Sequence, residues 1–196
     1  QVNTNSNGTW VLNLDSARPL SGPLATLRDG RYRLLAKAVD FAGNQSANSA
    51  PHQLVIDNTD PLPPTMQPFF YTNVAKPIIV GTGELNSVIT LTLNNYSFTT
   101  TVASNRSWSV NTNTATPTPA GFQSLVNGTT YQASAISTDL AGNSSLAAIQ
   151  SVVMDNVSPV APIIISPAVS LSLTPTIEGI GESGTTAIIN IDGTIY

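Results

Sequence analysis

Residues 131–143 read YQASAISTDLAGN, and residues 32–44 read YRLLAKAVDFAGN. Both stretches open on a tyrosine and close on Asp-x-Ala-Gly-Asn. In the later copy Tyr131, Ala133 and Ala135 fall on one face of an extended chain, the alternation of a half-buried strand. The closing Asp-x-Ala-Gly-Asn is turn chemistry, with an Asp side chain able to cap backbone N–H groups and a Gly free to take positive φ. The match spreads outward from this core. Asp57-Asn58-Thr59-Asp60-Pro61 recurs as Asp155-Asn156-Val157-Ser158-Pro159, Trp10 as Trp108, Gly30 as Gly128 and Pro64 as Pro162, each 98 residues on. Pro77, Gly81, Gly83 and Glu84 recur at the same offset as Pro175, Gly179, Gly181 and Glu182, with one-residue slips in loops. A fixed period of this kind marks a repeat architecture.

The period divides the chain into a complete unit over residues 58–155, flanked by the C-terminal part of one unit (1–57) and the N-terminal part of another (156–196). The complete unit predicts strands near 65–67, 76–82, 88–94, 97–102, 107–111, 129–139 and 147–155. The third alternates cleanly, with Ile89, Leu91 and Leu93 opposite Thr90, Thr92 and Asn94. Turn signals separate the runs at Asn94-Asn95, Asn105-Arg106, Asn127-Gly128 and Gly142-Asn143. No stretch sustains a 3.6-residue apolar period. Seven short strands in about 100 residues predict an all-β fold of tandem immunoglobulin-like seven-strand sandwiches, with Tyr131 placed to act as a tyrosine corner.

The pattern D-N-x-x-P-x-x-P, then G-x-G-E, a tryptophan strand and Y-x-x-x-A-x-x-x-D-x-A-G-N-x-S resembles the bacterial immunoglobulin-like tandem repeats of giant surface adhesins. Those are the long arrays of type I-secreted and biofilm-associated proteins. The likeness spans the chain and occurs twice in register. It implies an extracellular place on a bacterial cell surface, a stalk role in cell adhesion and biofilm formation, and, in several members, calcium between domains.

Composition narrows the function independently. The net charge is −4 with seven basic residues, which disfavours a nucleic-acid partner held through phosphates. Charged residues make up 9% of the chain, against about 25% in an average soluble domain. No apolar run is long enough for a membrane span. With no cysteine and one histidine, thiolate or histidine metal sites and cysteine nucleophiles fall away, and the chain is not expected to be an enzyme. It opens on Gln1 without an apolar leader, as a mature or cut fragment would.

The acids are placed unevenly. Strands of a sandwich run up and down in turn, so the linker entering a unit, the loop after its second sheet strand and the loop before its last strand share one pole. Asp57, Asn58 and Asp60 sit on that linker, Glu84 in the first loop and Asp139 with Asn143 in the second. The same count puts Asp155, Asn156 and Glu182 at the next junction, and Asp40 with Asn44 at the far pole of the first partial unit. Carboxylates crowded without bases repel unless a cation offsets them, and hard oxygen donors suit Ca2+. The expectation is a structural calcium site of Asp57, Asp60, Glu84 and Asp139, with Asn58 a weaker ligand. The bland reading of Asp139 and Asn143 is turn chemistry alone. Ser158 stands where the first junction has Asp60, which predicts weaker binding there.

Other signals carry less. His52 reads as a surface strand residue without a nucleophile elbow, and Trp10 and Trp108 as packing residues. Arg18, Arg28, Arg31, Arg33 and Lys37 form a basic group absent from the second unit, a solvated surface. Asn-x-Ser/Thr triplets are expected in so Asn- and Thr-rich a chain. An alternative function is a module gripping a glycan or host protein with loop 112–127, whose one aromatic is Phe122. Besides neighbouring repeats of the same chain, the expected partner is a second copy. Residues 156–196 of one chain would complete residues 1–57 of the next, building a composite calcium site from Asp155, Glu182 and the neighbour's Asp40.

Overall fold

The computed structural model describes residues 2–17, 19–20, 26–68 and 71–196; Arg18 and part of loop 16–29 lie outside the described residues. The strands, in order, are β1 (Gly30–Leu34), β2 (His52–Ile56), β3 (Thr65–Met66), β4 (Tyr71–Thr72), β5 (Ile78–Thr82), β6 (Val88–Leu93) and β7 (Tyr96–Thr101). Then follow β8 (Ser107–Asn111), β9 (Thr130–Thr138), β10 (Ala148–Met154), β11 (Ile163–Ile164), β12 (Gly179–Ile180), β13 (Asn190–Ile191) and β14 (Thr194–Ile195). The chain is all-β, as its periodicity predicts.

Between β3 and β10 two sheets face each other, one ordered β4-β10-β9-β6-β7 and the other β3-β5-β8. Strand β6 alternates buried and part-exposed side chains, and Ile89, Leu91 and Leu93 are fully buried. They meet Phe98, Ala133, Ala135, Val152 and Met154 from the same sheet, and Ile79, Trp108 and Val110 from the other. The β6–β7 connection puts Asn94 and Asn95 at φ 49° and 63°, the double left-handed pair that a two-residue type I′ turn needs.

One strand departs from the expected seven. The run at 65–67 meets Pro68, which has no N–H to continue the ladder. The chain crosses to the opposite sheet, where β4 pairs parallel to β10 through Tyr71 with Val153 and Thr72 with Met154.

Two glycines earn their places. At Gly81 a Cβ would lie 1.9 Å from the Thr65 carbonyl oxygen and 2.7 Å from the Trp108 ring, so only hydrogen fits between strand and indole. The Trp108 indole N–H donates to the Thr82 carbonyl at 3.1 Å. Gly128, at φ 74°, donates its N–H to the Met154 carbonyl (2.8 Å), while the Met154 N–H donates to Thr129 (3.0 Å). Two residues thus oppose one, a glycine bulge. In the first hairpin Gly30 pairs directly with Ile56. The bulge absorbs the extra residue that shifts the tyrosine spacing by one from the glycine spacing.

Every described residue that is buried lies between Pro61 and Met154. On either side the chain forms hairpins without a covering layer: β1–β2 on the N-terminal side, and β11–β12 and β13–β14 on the C-terminal side.

Candidate functional site

The loop between β9 and β10 is built around one carboxylate. Asp139 Oδ1 accepts from the N–H groups of Ala141 (2.8 Å), Gly142 (2.8 Å) and Asn143 (2.9 Å), and Oδ2 accepts from the Asn143 amide at 2.8 Å. The Asn143 amide also donates to the Asp57 carbonyl at 3.2 Å, which ties this loop to the entering linker. The Asn143 side chain holds Asp139 below the ordinary carboxylate value of 3.8, helped by the three backbone N–H groups and opposed by partial desolvation. Asp40 is lowered likewise, first by the Asn44 side chain, which donates to its Oδ2 at 2.8 Å. The turn reading of Asp139 and Asn143 therefore holds in full.

The linkers are held by a second pair of residues that the spacing argument did not single out. Asp29 accepts from the Asn58 N–H at 3.0 Å and from the Thr59 hydroxyl at 2.5 Å. At the second junction Asn127 accepts from the Asn156 N–H at 2.9 Å. Both residues precede a glycine, Gly30 at the start of β1 or Gly128 in the bulge, and only Asn127-Gly128 stood out in the sequence, as a turn signal. Asp57 and Asp155 each accept the N–H two residues on, from Thr59 and Val157, both at 3.1 Å. At the second junction Glu182 also reaches the linker, accepting from the Val160 N–H at 3.1 Å.

Beneath this pole runs a buried serine chain. The Ser145 hydroxyl accepts from the Ser137 N–H at 3.0 Å, the Ser137 hydroxyl donates to Ser87 at 2.8 Å, and Ser87 donates to the Glu84 carbonyl at 2.7 Å. It joins the two loops that flank the linker through satisfied polar groups.

Linker and loop therefore meet at each junction, but the carboxylates do not gather. Among the described residues, no three acidic or histidine side chains come close enough to share a metal ion. Asp57, Asn58, Asp60 and Glu84 are exposed at the first junction, and Asp155, Asn156 and Glu182 at the second. The oxygen donors suit Ca2+ chemically. As arranged, though, Asp139 spends both carboxylate oxygens on its own turn, and the expected four-carboxylate cluster is not assembled.

Phe122 is not an open loop aromatic. It is 7% exposed and packs edge-on against Tyr96 (5.3 Å) and Phe98 (5.2 Å). A binding loop at 112–127 thus loses the one side chain best suited to grip a ligand. His52 lies exposed at the start of β2, as a surface strand residue should.

No protein-family model matches the chain, and no curated protein matches it by sequence. Among solved structures it is similar in part to one described as a Ca2+-stabilized adhesin that helps an Antarctic bacterium reach out and bind ice. The identity is 18% and the TM-score 0.33. The alignment covers 68% of this chain and 34% of that one, so this chain spans about a third of its length.

Proposed function

We propose that this chain supplies spacer repeats of a bacterial surface adhesin stalk, outside the cell, holding a distal adhesive part away from the surface for attachment and biofilm formation. One observation carries the reading: both junctions are built to the same plan. Each begins with an N–H captured by the residue before a glycine, continues through an Asp turn and enters a Pro-x-x-Pro segment at Pro61 and Pro64 or Pro159 and Pro162. Proline fixes φ and the captured N–H groups fix the entry, so the junction resists bending. With residues 58–155 as one complete repeat, each unit adds roughly 40 Å, at ~3.3 Å per strand residue plus a linker. The properties of such an array follow from its neighbour-to-neighbour contacts.

Calcium stiffening is the finer part of the proposal. Asp57, Asp60 and Glu84, with the remaining lone pairs of Asp139 Oδ2, would hold the ion once drawn together. A binding ion would then lock linker and loops. The test is a thermal melt of the full chain in EDTA, in millimolar calcium and in millimolar magnesium. A calcium-specific rise of several degrees is expected, since a ligand at 100 times its Kd adds about 2.7 kcal/mol. No rise would remove calcium and leave the prolines and captured N–H groups as the source of stiffness.

A further inference from the structure

The two flanks of the central sandwich carry complementary halves of its fold. On the C-terminal side β11–β12 pairs Ile163 with Ile180 and Ile164 with Gly179, as β3–β5 pairs Thr65 with Thr82 and Met66 with Gly81. The β13–β14 hairpin pairs Asn190 with Ile195 and Ile191 with Thr194, the register of Thr92 with Ser97 and Leu93 with Tyr96. Its turn residues Asp192 and Gly193 repeat the positive φ of Asn94 and Asn95. On the N-terminal side the Asn5 N–H donates to the Thr9 carbonyl as Ala103 donates to Ser107, and β1–β2 repeats the pairing of β9–β10. One flank thus supplies the opening strands of a unit and the other its closing strands.

Each half exposes what its counterpart in the central unit buries. Trp10 is 54% exposed where Trp108 is 3% exposed. Gly179 sits tight under the Ile163 carbonyl, 2.8 Å from the site of an added Cβ, as Gly81 does under Thr65, but no indole lies across it. Ile191 and Leu34 are 48% and 44% exposed, whereas their counterparts Leu93 and Ala133 are fully buried.

We propose that residues 156–196 of one copy dock onto residues 2–57 of a second copy and complete a sandwich. The central unit fixes the register. By the pairing of β6 with β9, Ile191 lies opposite Leu34, Ile189 opposite Ala36 and Ile188 opposite Lys37. By the pairing of β5 with β8, Gly179 of one copy receives Trp10 of the other, whose indole N–H donates to the Ile180 carbonyl. Such a head-to-tail contact closes into rings or extends into open chains. The docking depends neither on calcium nor on the stalk reading.

The chain has no cysteine, so its registry can be read by cross-linking. One preparation carries Lys37→Cys and another Ile188→Cys, so any short bis-maleimide bridge between the two substitutions joins different copies. On mixing, a heterodimer forming several-fold faster than either homodimer is expected. Moving the second cysteine out of register, to Thr176, should abolish it. Gly179→Val in the Ile188→Cys chain fills the seat of Trp10 and should remove most of the cross-link, while the melt of the central sandwich shows that this chain still folds. A rate equal to that of the homodimers would overturn the proposal. So would bridging confined to a single chain that carries both cysteines, since the two ends would then close on themselves.

Discussion

The hairpins at residues 30–56 and 128–154 share their local hydrogen bonds and differ in burial. In both, the first tyrosine's hydroxyl binds backbone upstream: the Arg28 N–H donates to Tyr32 at 2.9 Å, and the Val126 N–H to Tyr131 at 2.9 Å. In both, an Asp-x-Ala-Gly-Asn turn closes on its own carboxylate. Yet Val152 is fully buried, whereas Leu54, its counterpart, is only partly covered. Local sequence thus specifies the turn, the register and the corner with no core beneath them. Burial requires two facing sheets, and among the described residues it is confined to the stretch from Pro61 to Met154.

This contrast can be broken most forcefully in the core. Leu91→Ala should cost about 3 kcal/mol or more in the urea-unfolding transition of the central sandwich. Ile189→Ala, at the matching place in the C-terminal flank, should leave that transition within about 0.5 kcal/mol of the parent. Gly81→Ala follows, because its Cβ falls 1.9 Å from a carbonyl oxygen and 2.7 Å from the Trp108 ring. A loss of about 2 kcal/mol by overpacking is expected from chemical melts. Tyr131→Phe removes one hydroxyl from the corner and should lower the same transition by about 1 kcal/mol. Tyr32→Phe should not move it, and an equal effect from both would mean the two hairpins share one cooperative unit.

The smallest effect is acid sensitivity. Hydrogen bonds to the ionised form hold Asp139 and Asp40 below 3.8. The turn stabilisation is therefore complete above the ordinary carboxylate range and is lost as pH falls through the lower folded values. An NMR titration should show both carboxylates protonating below the ordinary carboxylate value of 3.8. Asp139→Ala should flatten the acid limb of the melting curve at its lowest pH.

Much of this organisation was legible in the sequence. Alternation at Ile89, Leu91 and Leu93 gave the central strand its face, and the recurrence of Tyr32 and Tyr131 matches two equivalent hydroxyl contacts. What escaped had no local signature. Strand β4 is two residues long and exists because Pro68 ends one ladder and β10 offers another. The linker clasp by Asp29 and Asn127 spans about thirty residues and hides behind an ordinary turn dipeptide. The expected carboxylates stand apart for a local reason: four N–H donors within its own turn hold Asp139.

The parallel pairing of β4 with β10 has a mechanical consequence. β4 lies near the beginning of the central sandwich and β10 at its end, so tension along the chain pulls β4 toward its N-terminal side and β10 toward its C-terminal side. Parallel neighbours drawn in opposite directions slide in shear. The Tyr71–Val153 and Thr72–Met154 pairings, with the Asp155 N–H donated to the Thr72 carbonyl at 2.9 Å, then bear the load together rather than opening one after another. This short parallel seam therefore resists any pull that draws β4 and β10 apart along their length.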